Sequence, residues 1–387
     1  MRTYEETHPW IRFQLDLRQF DYQLWLMLGE AESKCQHISG VPLLPGVAEM
    51  LHQIYLAKGA LATTAIEGNT LSEAEVRQRL KGQLHLPPSK EYLGQEIDNI
   101  VQACNRIADE IFQGRSTDLD VESFKADNRQ VLKGLAVAEG VEPGVIRTYS
   151  VGVGSYRAAP AEDCEYLLER LAAWLNQDFA PPGGRYPIAF GLIKAIVAHL
   201  YLAWIHPFGD GNGRLARLME FRILLAAGIP SAAAHLLSNH YNQTRSEYYR
   251  QLEQASRSGG DVIPFVRYAV QGFVDGLTEQ LQLIRGQQLH VHWVNFIHDQ
   301  FQGRESVTDI RRRHLLLDLT AASAPVPVAN VRHISPRMAE AYAGKTEKTI
   351  QRDLNELERM DLITRLPAGV QVRQERLRAF LPRRRPT

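Results

Sequence analysis

The segment from Leu192 to Gly228 constrains the fold of this chain most strongly. Apolar side chains and the absence of glycine from Leu192 to Ile205 predict a buried helix that ends at His206. Leucines at helical spacing from Leu215 onward predict a second helix that ends near Gly228. The sequence between them is therefore a loop that enters a helix N-terminus. It reads His206-Pro207-Phe208-Gly209-Asp210-Gly211-Asn212-Gly213-Arg214, with Arg217 one turn later.

The composition of this loop predicts a site for nucleotide phosphates. A helix N-terminus exposes unpaired N–H groups and carries the positive end of the helix dipole, so it favours anions. Arg214 and Arg217 repel each other there unless a polyanion such as a di- or triphosphate lies between them. Gly211 and Gly213 let the backbone approach phosphate oxygens closely, and Asn212 can supply a further donor. The alternative is a Gly-Asn-Gly turn that merely joins two helices.

Two other side chains of the loop indicate its chemistry. Asp210 would repel bare phosphate, but it suits a Mg²⁺ ion that bridges the phosphates and is held by one carboxylate and water. His206 has the pKa range needed to take a proton from an incoming hydroxyl. We therefore expect a base and a metal ligand beside the phosphates.

The loop resembles the signature of the Fic family, His-Pro-Phe-x-Asp/Glu-Gly-Asn-Gly-Arg-x-x-Arg, at each defined position. The resemblance implies a mainly α fold, with a helical core and a β-hairpin flap, that transfers AMP from ATP to a Ser, Thr or Tyr hydroxyl of a target protein or of itself. Relatives that act as kinases tend to carry Lys at position 213, so Gly213 favours AMP transfer. The resemblance gives each polar position a role: general base for His206, Mg²⁺ ligand for Asp210, anion hole for Gly211, Asn212 and Gly213, β-phosphate contact for Arg214 and γ-phosphate contact for Arg217.

A second motif lies upstream, at the end of a predicted helix from Val47 to Glu67. Gly68 ends this helix as a left-handed cap, and Ser72 with Glu75 opens the next helix as a capping box. The helix dipole disfavours a carboxylate at this C-terminus by roughly 0.3–1 kcal/mol. A cation should therefore compensate Glu67, unless Glu67 is simply a solvated residue at the end of a surface helix.

The stretch from Thr63 to Gly68 is similar to the inhibitory-helix motif of Fic proteins, Ser/Thr-x-x-x-Glu-Gly/Asn. The resemblance implies that Glu67 pairs with Arg217, which also places Glu67 among the ATP-binding residues. ATP would then bind in a pose that does not expose its α-phosphate to in-line attack. The class also includes members that reverse their own reaction, using this glutamate to place a water.

Residues 147–157 are rich in β-formers and glycine within a helical region, which predicts a hairpin. The Fic resemblance makes it the flap on which a target segment docks by main-chain hydrogen bonds. We expect its tip to lie beside ATP, through Val153, Gly154, Ser155 and Tyr156. The alternative is an exposed hairpin with packing duties only.

Further positions complete the predicted core. The resemblance makes Tyr248 a nucleobase or ribose contact, although an aromatic pair such as Tyr248 and Tyr249 on a helix is more often part of a core. His199 is interpreted as a hydrogen-bonded core residue. Asp163 or a neighbour should cap a helix that runs through Trp174.

The chain is expected to form three regions: residues 1–125 with the inhibitory helix, residues 126–288 as the catalytic core, and residues 289–387. The last region resembles a winged helix-turn-helix, with the helix at Thr346 in the recognition position and a hairpin near residues 362–373. Basic side chains outnumber acidic ones there, but the helix is mixed in sign, so both DNA contact and protein contact stay open. Arg383-Arg384-Arg385 is read as a solvated tail.

Composition narrows the class of protein further. The 387 residues carry 44 basic and 44 acidic side chains, which argues against a dedicated nucleic-acid coat. Three widely spaced cysteines, the lack of a signal sequence and the lack of an apolar run of spanning length predict a cytoplasmic protein without membrane contact. A homo-oligomer stays open. The rival functions are a nucleotide-sensing DNA-binding regulator and a Fic-type transferase that uses a UMP or phosphocholine donor.

Overall fold

A computed structural model describes residues 1–115, 117–154 and 156–377 of the chain. Ser155 and the Arg383-Arg384-Arg385 tail, both discussed above, lie outside the described residues.

The chain divides into two compact units, Met1–Leu281 and Gln282–Thr387. The fold is mainly α, as the sequence predicted. The helices of the first unit are α1 Thr3–Thr7, α2 Tyr22–Gly40, α3 Pro45–Ala65, α4 Glu73–Leu80, α5 Glu91–Phe112, α6 Val121–Val131, α7 Cys164–Gln177, α8 Pro187–Ile205, α9 Asn212–Ala226, α10 Leu236–Gln243 and α11 Arg245–Arg257; the division between the units falls within α12, Ile263–Gln300.

Helix α8 forms the centre of the first unit because it is apolar on all sides. Pro187 occupies its first turn, where a missing N–H costs nothing, and the helix ends at Ile205 as predicted. By length and composition alone α8 could span a membrane, although no segment of the sequence was expected to do so. Inside the fold, 83% of its most apolar stretch of 18 residues is buried. Helix α9 packs along α8, and the loop between them carries the signature residues.

Helices α3 and α5 of the N-terminal region share one hydrophobic core with α8 and α9. Side chains of α3, α5, α8 and α9 belong to a single buried cluster, so residues 1–125 do not pack as a body of their own. A buried ion pair adds to this packing: Arg222 of α9 contacts Asp127 of α6 at 3.4 Å and Glu110 of α5 at 2.9 Å. These contacts tie α9 to α5 and α6.

Local sequence signals account for several element ends. Ser72 and Glu75 form the predicted capping box at the start of α4, which confirms that prediction. Asp163 occupies the N-cap position of α7, where the sequence predicted a cap at this residue or a neighbour, but its carboxylate makes no cap hydrogen bond to that helix. It accepts hydrogen bonds from the Tyr4 N–H at 2.8 Å and from Arg2 at 3.1 Å instead, because the N-terminal segment packs against this corner.

The predicted hairpin between α6 and α7 is present. Strands β1 (Gly152–Val153) and β2 (Tyr156–Arg157) pair in antiparallel fashion, with Gly152 opposite Arg157. Just upstream, Ile146 forms a single antiparallel bridge with Phe208 of the catalytic loop. The hairpin is therefore joined at its base to the loop that carries the signature.

The second unit has a hydrophobic core of its own, centred on Trp293, Leu316 and Leu354. Its elements after α12 are α13 Val307–Thr320, α14 Pro336–Ala341, α15 Glu347–Arg359, and the antiparallel strands β3 Ile363–Leu366 and β4 Gly369–Val372. Val326, between α13 and α14, forms an antiparallel bridge with Val370 of β4.

Candidate active site

The catalytic loop turns sharply at both ends. His206 ends α8 in the left-handed region, with φ of 47° and ψ of 60°, which is strained for a residue with a side chain. Gly211 has a φ of 79°, which glycine adopts without strain, and α9 begins directly after it. The predicted loop into a helix N-terminus is confirmed. The first N–H groups of α9 therefore face the loop without partners inside the helix.

The side chain of Asn212 stabilises the loop from inside. It is buried, its amide donates to the Phe208 carbonyl at 2.8 Å, and its carbonyl oxygen accepts from the Phe208 N–H at 3.0 Å. The side-chain donor that the sequence suggested for phosphate is thus used within the loop. The backbone N–H of Asn212, at the start of α9, is the group available for an anion.

Arg147 anchors the backbone around His206. It belongs to the hairpin segment, and no individual role was predicted for it. Its buried guanidinium donates to the carbonyl of His206 at 2.7 Å, and to the carbonyls of Tyr149, Ala159 and Ile205 at 2.6, 2.5 and 3.3 Å. These hydrogen bonds hold the left-handed turn in place. Arg147 consequently joins the hairpin segment to the loop that carries the signature.

The same environment keeps the imidazole of His206 neutral. Burial is the largest effect and the positive charge of Arg147 adds to it, and together they lower the pKa of His206 to about 4. The carboxylates of Glu67 and Asp210 oppose this shift without cancelling it. At neutral pH, His206 is therefore an unprotonated base, as general base catalysis requires.

Glu67 and Arg217, 150 positions apart in the sequence, form an ion pair. The distance between Glu67 Oε1 and Arg217 Nη2 is 2.5 Å, and the same nitrogen donates to the Thr63 carbonyl at 2.9 Å. Burial acts to raise the pKa of Glu67, but the charge and hydrogen bond of Arg217 outweigh it, so the pKa lies below its usual range. The predicted cation beside this helix C-terminus is Arg217.

Gly213 makes room for this ion pair. A Cβ atom at position 213 would lie 2.2 Å from Glu67 Oε1 and 3.2 Å from the terminal nitrogens of Arg217. Gly68, which follows the glutamate, has a φ of 108°, so the chain leaves α3 through a conformation that favours glycine. The glycines of both motifs thus allow the same contact.

Arg214 lies between two carboxylates. Its guanidinium is 3.2 Å from Asp210 Oδ1 and 3.3 Å from Oε1 of Glu96, a residue of α5 that the sequence analysis did not single out. The backbone of Asp210 is held as well, because the Asn128 side-chain amide donates to its carbonyl at 2.9 Å. Glu96 and Asn128 come from helices that only tertiary packing brings to the loop.

The loop fits a Mg²⁺ ion shared with phosphates. The carboxylate of Asp210 is half-exposed, and Oδ1 accepts both of its hydrogen bonds from described residues, which leaves Oδ2 for another ligand. No cluster of three or more His, Cys, Asp or Glu side chains suited to a metal occurs in the described part of the chain. One carboxylate with water and phosphate oxygens is a common ligand set for Mg²⁺, which retains several waters.

A cavity of 460 Å³ opens beside His206 and Arg217. This volume lies within the range typical of small-molecule sites. Val153, Gly154 and Tyr156 of the hairpin line it, as do Glu67, Gly213 and the pair Tyr248 and Tyr249. Arg214 and Asp210, although on the same loop, are not among the residues that line the cavity.

Tyr248 lines the cavity but is almost wholly buried, and its hydroxyl is already paired. His199 Nε2 lies 2.9 Å from the Tyr248 hydroxyl, and His199 Nδ1 lies 3.2 Å from Glu220. The prediction that His199 is a hydrogen-bonded core residue is confirmed. Tyr248 therefore offers its ring to a ligand, whereas Tyr249 is the more exposed member of the pair.

Comparison with known proteins identifies the relatives of this site. The sequence model of the Fic/DOC family matches residues 118–224. Protein adenylyltransferase fic-1 of Caenorhabditis briggsae is 34% identical over 213 residues, which are 54% of this chain and 38% of that protein. Protein adenylyltransferase Fic of Nematostella vectensis is 28% identical over 259 residues, 66% of this chain and 55% of that protein. The chain thus spans less than two thirds of these relatives.

Solved structures share the fold. A Fic family protein from Desulfovibrio desulfuricans G20 superposes with a TM-score of 0.56 at 20% identity, covering 92% of this chain and 97% of that one. Fic-1 from C. elegans superposes with a TM-score of 0.55 at 26% identity, covering 68% of this chain and 73% of that one.

Proposed function

We propose, from the Fic/DOC domain that this chain carries in residues 118–224, that the protein transfers AMP from ATP to hydroxyl groups of target proteins and of itself. The observation that carries the proposal is the arrangement at the start of α9. A neutral, partly buried His206, Gly213 in the first turn of α9, and Arg217 all border one cavity of 460 Å³. The names of the relatives support the same reaction.

In the proposed reaction, the acceptor hydroxyl gives its proton to His206 as its oxygen attacks the α-phosphorus of ATP. The new O–P bond forms while the bond from the α-phosphorus to the bridging oxygen breaks, and pyrophosphate leaves. The N–H groups of Asn212 and Gly213, with Arg214 and Arg217, would hold the phosphates in line and neutralise their charge. The N–H of Gly211, which the sequence also assigned to the anion hole, donates to Asp210 Oδ1 instead. Asp210 would hold Mg²⁺, which supplies positive charge that offsets the charge of the phosphates.

We propose further that Glu67 restrains this reaction. Its carboxylate is bound to the guanidinium of Arg217, which the γ-phosphate of ATP would otherwise contact. A carboxylate so close to Arg217 would also repel that phosphate. The contact rests on α3, because Thr63 accepts from the same arginine and Gly68 provides the turn. Displacing Glu67 is then a precondition for productive ATP binding.

We assign target docking to the hairpin segment, residues 147–157. Its strands are short, and Gly152 and Val153 of β1 are exposed. A target segment could add to such a strand by main-chain hydrogen bonds and so present its hydroxyl near His206. The bridge between Ile146 and Phe208 supports this placement because it ties the hairpin to the catalytic loop.

The first experiment measures self-modification by ATP labelled at the α-phosphate, in the presence of Mg²⁺. Wild type, Glu67→Gly and Glu67→Gly with His206→Ala are compared. We expect strong labelling of the second protein only, since the first is restrained and the third lacks its base. Equal labelling of wild type and Glu67→Gly would remove the inhibitory role of Glu67, and labelling of the third protein would show that another group is the base.

For residues 289–387 we propose a winged helix-turn-helix domain. The order of α13, α14, α15, β3 and β4, with the bridge from Val326 to Val370, supports it. A second candidate function, DNA binding, is favoured by Lys348, Gln351 and Arg352, which are exposed on α15. The test is a mobility shift at moderate salt with the full chain and with Lys348→Ala plus Arg352→Ala. Equal retention of both proteins, or none of either, argues against DNA contact through α15.

A further inference from the structure

Both arginines at the start of α9 are paired with carboxylates from distant segments. Arg217 pairs with Glu67, as described above. Arg214 pairs with Glu96, and the distance between Arg214 Nη1 and Glu96 Oε1 is 3.3 Å. Glu96 lies on α5, outside the signature and outside the inhibitory motif, and the reaction proposed above does not use it.

The orientation of Glu96 is fixed by Asn69. The side-chain amide of Asn69 donates to Glu96 Oε2 at 2.8 Å and to the Leu93 carbonyl at 2.9 Å, while its oxygen accepts from the Leu71 N–H at 3.0 Å. Asn69 is buried and has little freedom to move. It also lies two residues after Glu67, so a single turn holds Arg217 directly and Arg214 through Glu96.

Arg214 needs such a partner because its side chain is long and nearly buried. Only 6% of the Arg214 side chain and 15% of the Glu96 side chain are exposed. A flexible guanidinium that must meet a phosphate in one position loses substantial rotamer entropy unless another contact has already fixed it. The second carboxylate on Arg214, Asp210, is the proposed metal ligand, so Glu96 is the partner that remains when nucleotide binds.

We propose that Glu96 is a positioning residue, which holds the guanidinium of Arg214 at the start of α9 for the β-phosphate of the nucleotide and is itself oriented by Asn69. The inference rests on the proposed function. The turn after α3 then has two opposite effects on the phosphate site. Glu67 occupies Arg217, the γ-phosphate contact, whereas Asn69 orients Glu96, which positions Arg214 for the β-phosphate.

The test separates the phosphates by comparing AMP, ADP and ATP. Calorimetric dissociation constants are measured with Mg²⁺ on the full chain carrying Glu67→Gly and His206→Ala, so that Arg217 is released and no turnover occurs. The ratio of the AMP constant to the ADP constant reports the β-phosphate contact, and the ratio of the ADP constant to the ATP constant reports the γ-phosphate contact. A general loosening of the fold affects all three nucleotides alike and cancels in both ratios.

Adding Glu96→Ala should reduce the AMP-to-ADP ratio about tenfold, the order of one charge-assisted contact, and change the ADP-to-ATP ratio by less than about twofold. Asn69→Ala, which leaves both charges in place, should reduce the same ratio by a smaller factor of about three. The matched control is Glu91→Gln, an acidic residue on the same helix that pairs with Arg79 at the surface, and it should leave both ratios unchanged.

The outcomes distinguish this inference from the proposed function. An AMP-to-ADP ratio that is unchanged in Glu96→Ala, or one that increases because Glu96 competes with the phosphate, overturns the positioning role while the proposed function stands. If none of the three nucleotides binds to the folded parent protein, the proposed function fails and the inference fails with it.

Discussion

At the scale of single residues, the site contains groups whose pKa differs from that of the same groups in water. His206 is partly buried beside the cationic Arg147, and this environment lowers the pKa of its imidazole to about 4. Glu67 remains charged at neutral pH because Arg217 outweighs the effect of burial on its pKa. At neutral pH the imidazole of His206 is thereby free to accept a proton, and the carboxylate of Glu67 is charged.

The first prediction concerns the pKa of His206. Nuclear magnetic resonance of the imidazole Cε1–H, assigned by comparison with His206→Ala, should show His206 neutral down to about pH 4. An unfolded histidine titrates near about 6.5, so the unfolded chain binds the proton first as the pH falls. The stability that this group contributes is therefore complete above about pH 6.5 and is lost between that value and about pH 4. A midpoint near 6.5 in the folded protein would contradict the burial argument.

The second prediction concerns the stability cost of releasing the restraint. Glu67→Gly leaves Arg217 buried without its carboxylate partner, and it should lower the free energy of unfolding by about 1–2 kcal/mol in the absence of nucleotide. This figure is discounted because a third of the Glu67 side chain is exposed. ATP with Mg²⁺ should restore the loss, since its γ-phosphate replaces the carboxylate. Chemical denaturation with and without ATP measures both effects, and Glu91→Gln serves as the surface control.

At the scale of elements, the catalytic loop is held by contacts that cross the chain. Arg147 links the hairpin segment to the end of α8, Asn128 links α6 to the loop, and Glu96 links α5 to α9. The sequence could predict α8, α9 and the hairpin because each has a local signal: apolar periodicity, a cap, or a run of β-formers. It could not predict these three links, because no local pattern distinguishes a buried polar side chain with a distant partner from a solvated one.

The third prediction concerns Arg147. Arg147→Met removes the donor from the carbonyls of His206, Tyr149, Ala159 and Ile205, and it should lower the free energy of unfolding by about 3 kcal/mol because buried acceptors are left without partners. Thermal and chemical denaturation check the loss. Arg157→Met, on the exposed strand of the same hairpin, should change stability by less than about 0.5 kcal/mol. Equal effects of the two substitutions would show that the Arg147 contacts do not stabilise the loop.

At the scale of the whole molecule, the chain contains two units, each with a hydrophobic core of its own. The domain boundary predicted near residue 289 lies within α12. Hydrophobic periodicity does not mark a boundary there, because the helix continues from one unit into the next. The residues that line the cavity beside His206 all belong to the first unit. Nucleotide should therefore stabilise that unit and leave the core of the second unchanged.

The fourth prediction follows from these separate cores. Calorimetry of Glu67→Gly with His206→Ala should show two unfolding transitions, and ATP at a hundred times its dissociation constant should stabilise only one of them, by about 2.7 kcal/mol. Leu354→Ala, which removes a buried side chain from the core of the second unit, should lower only the other transition. A single transition that moves in both experiments would mean that the two units unfold together.

The sequence by itself determined the helices around the signature, the loop that enters α9 and the identity of its polar residues, because these depend on local periodicity, caps and spacing. The pairing of Glu67 with Arg217 was expected only from the family resemblance, and the tertiary structure contains it. Only the tertiary structure decided that Asn212 turns its side chain into the loop, that Arg147 binds the carbonyl of His206, and that Glu96 pairs with Arg214. Such contacts are set by how segments distant in sequence pack around α8, and they are selected because a buried polar or charged group costs free energy unless it has a partner.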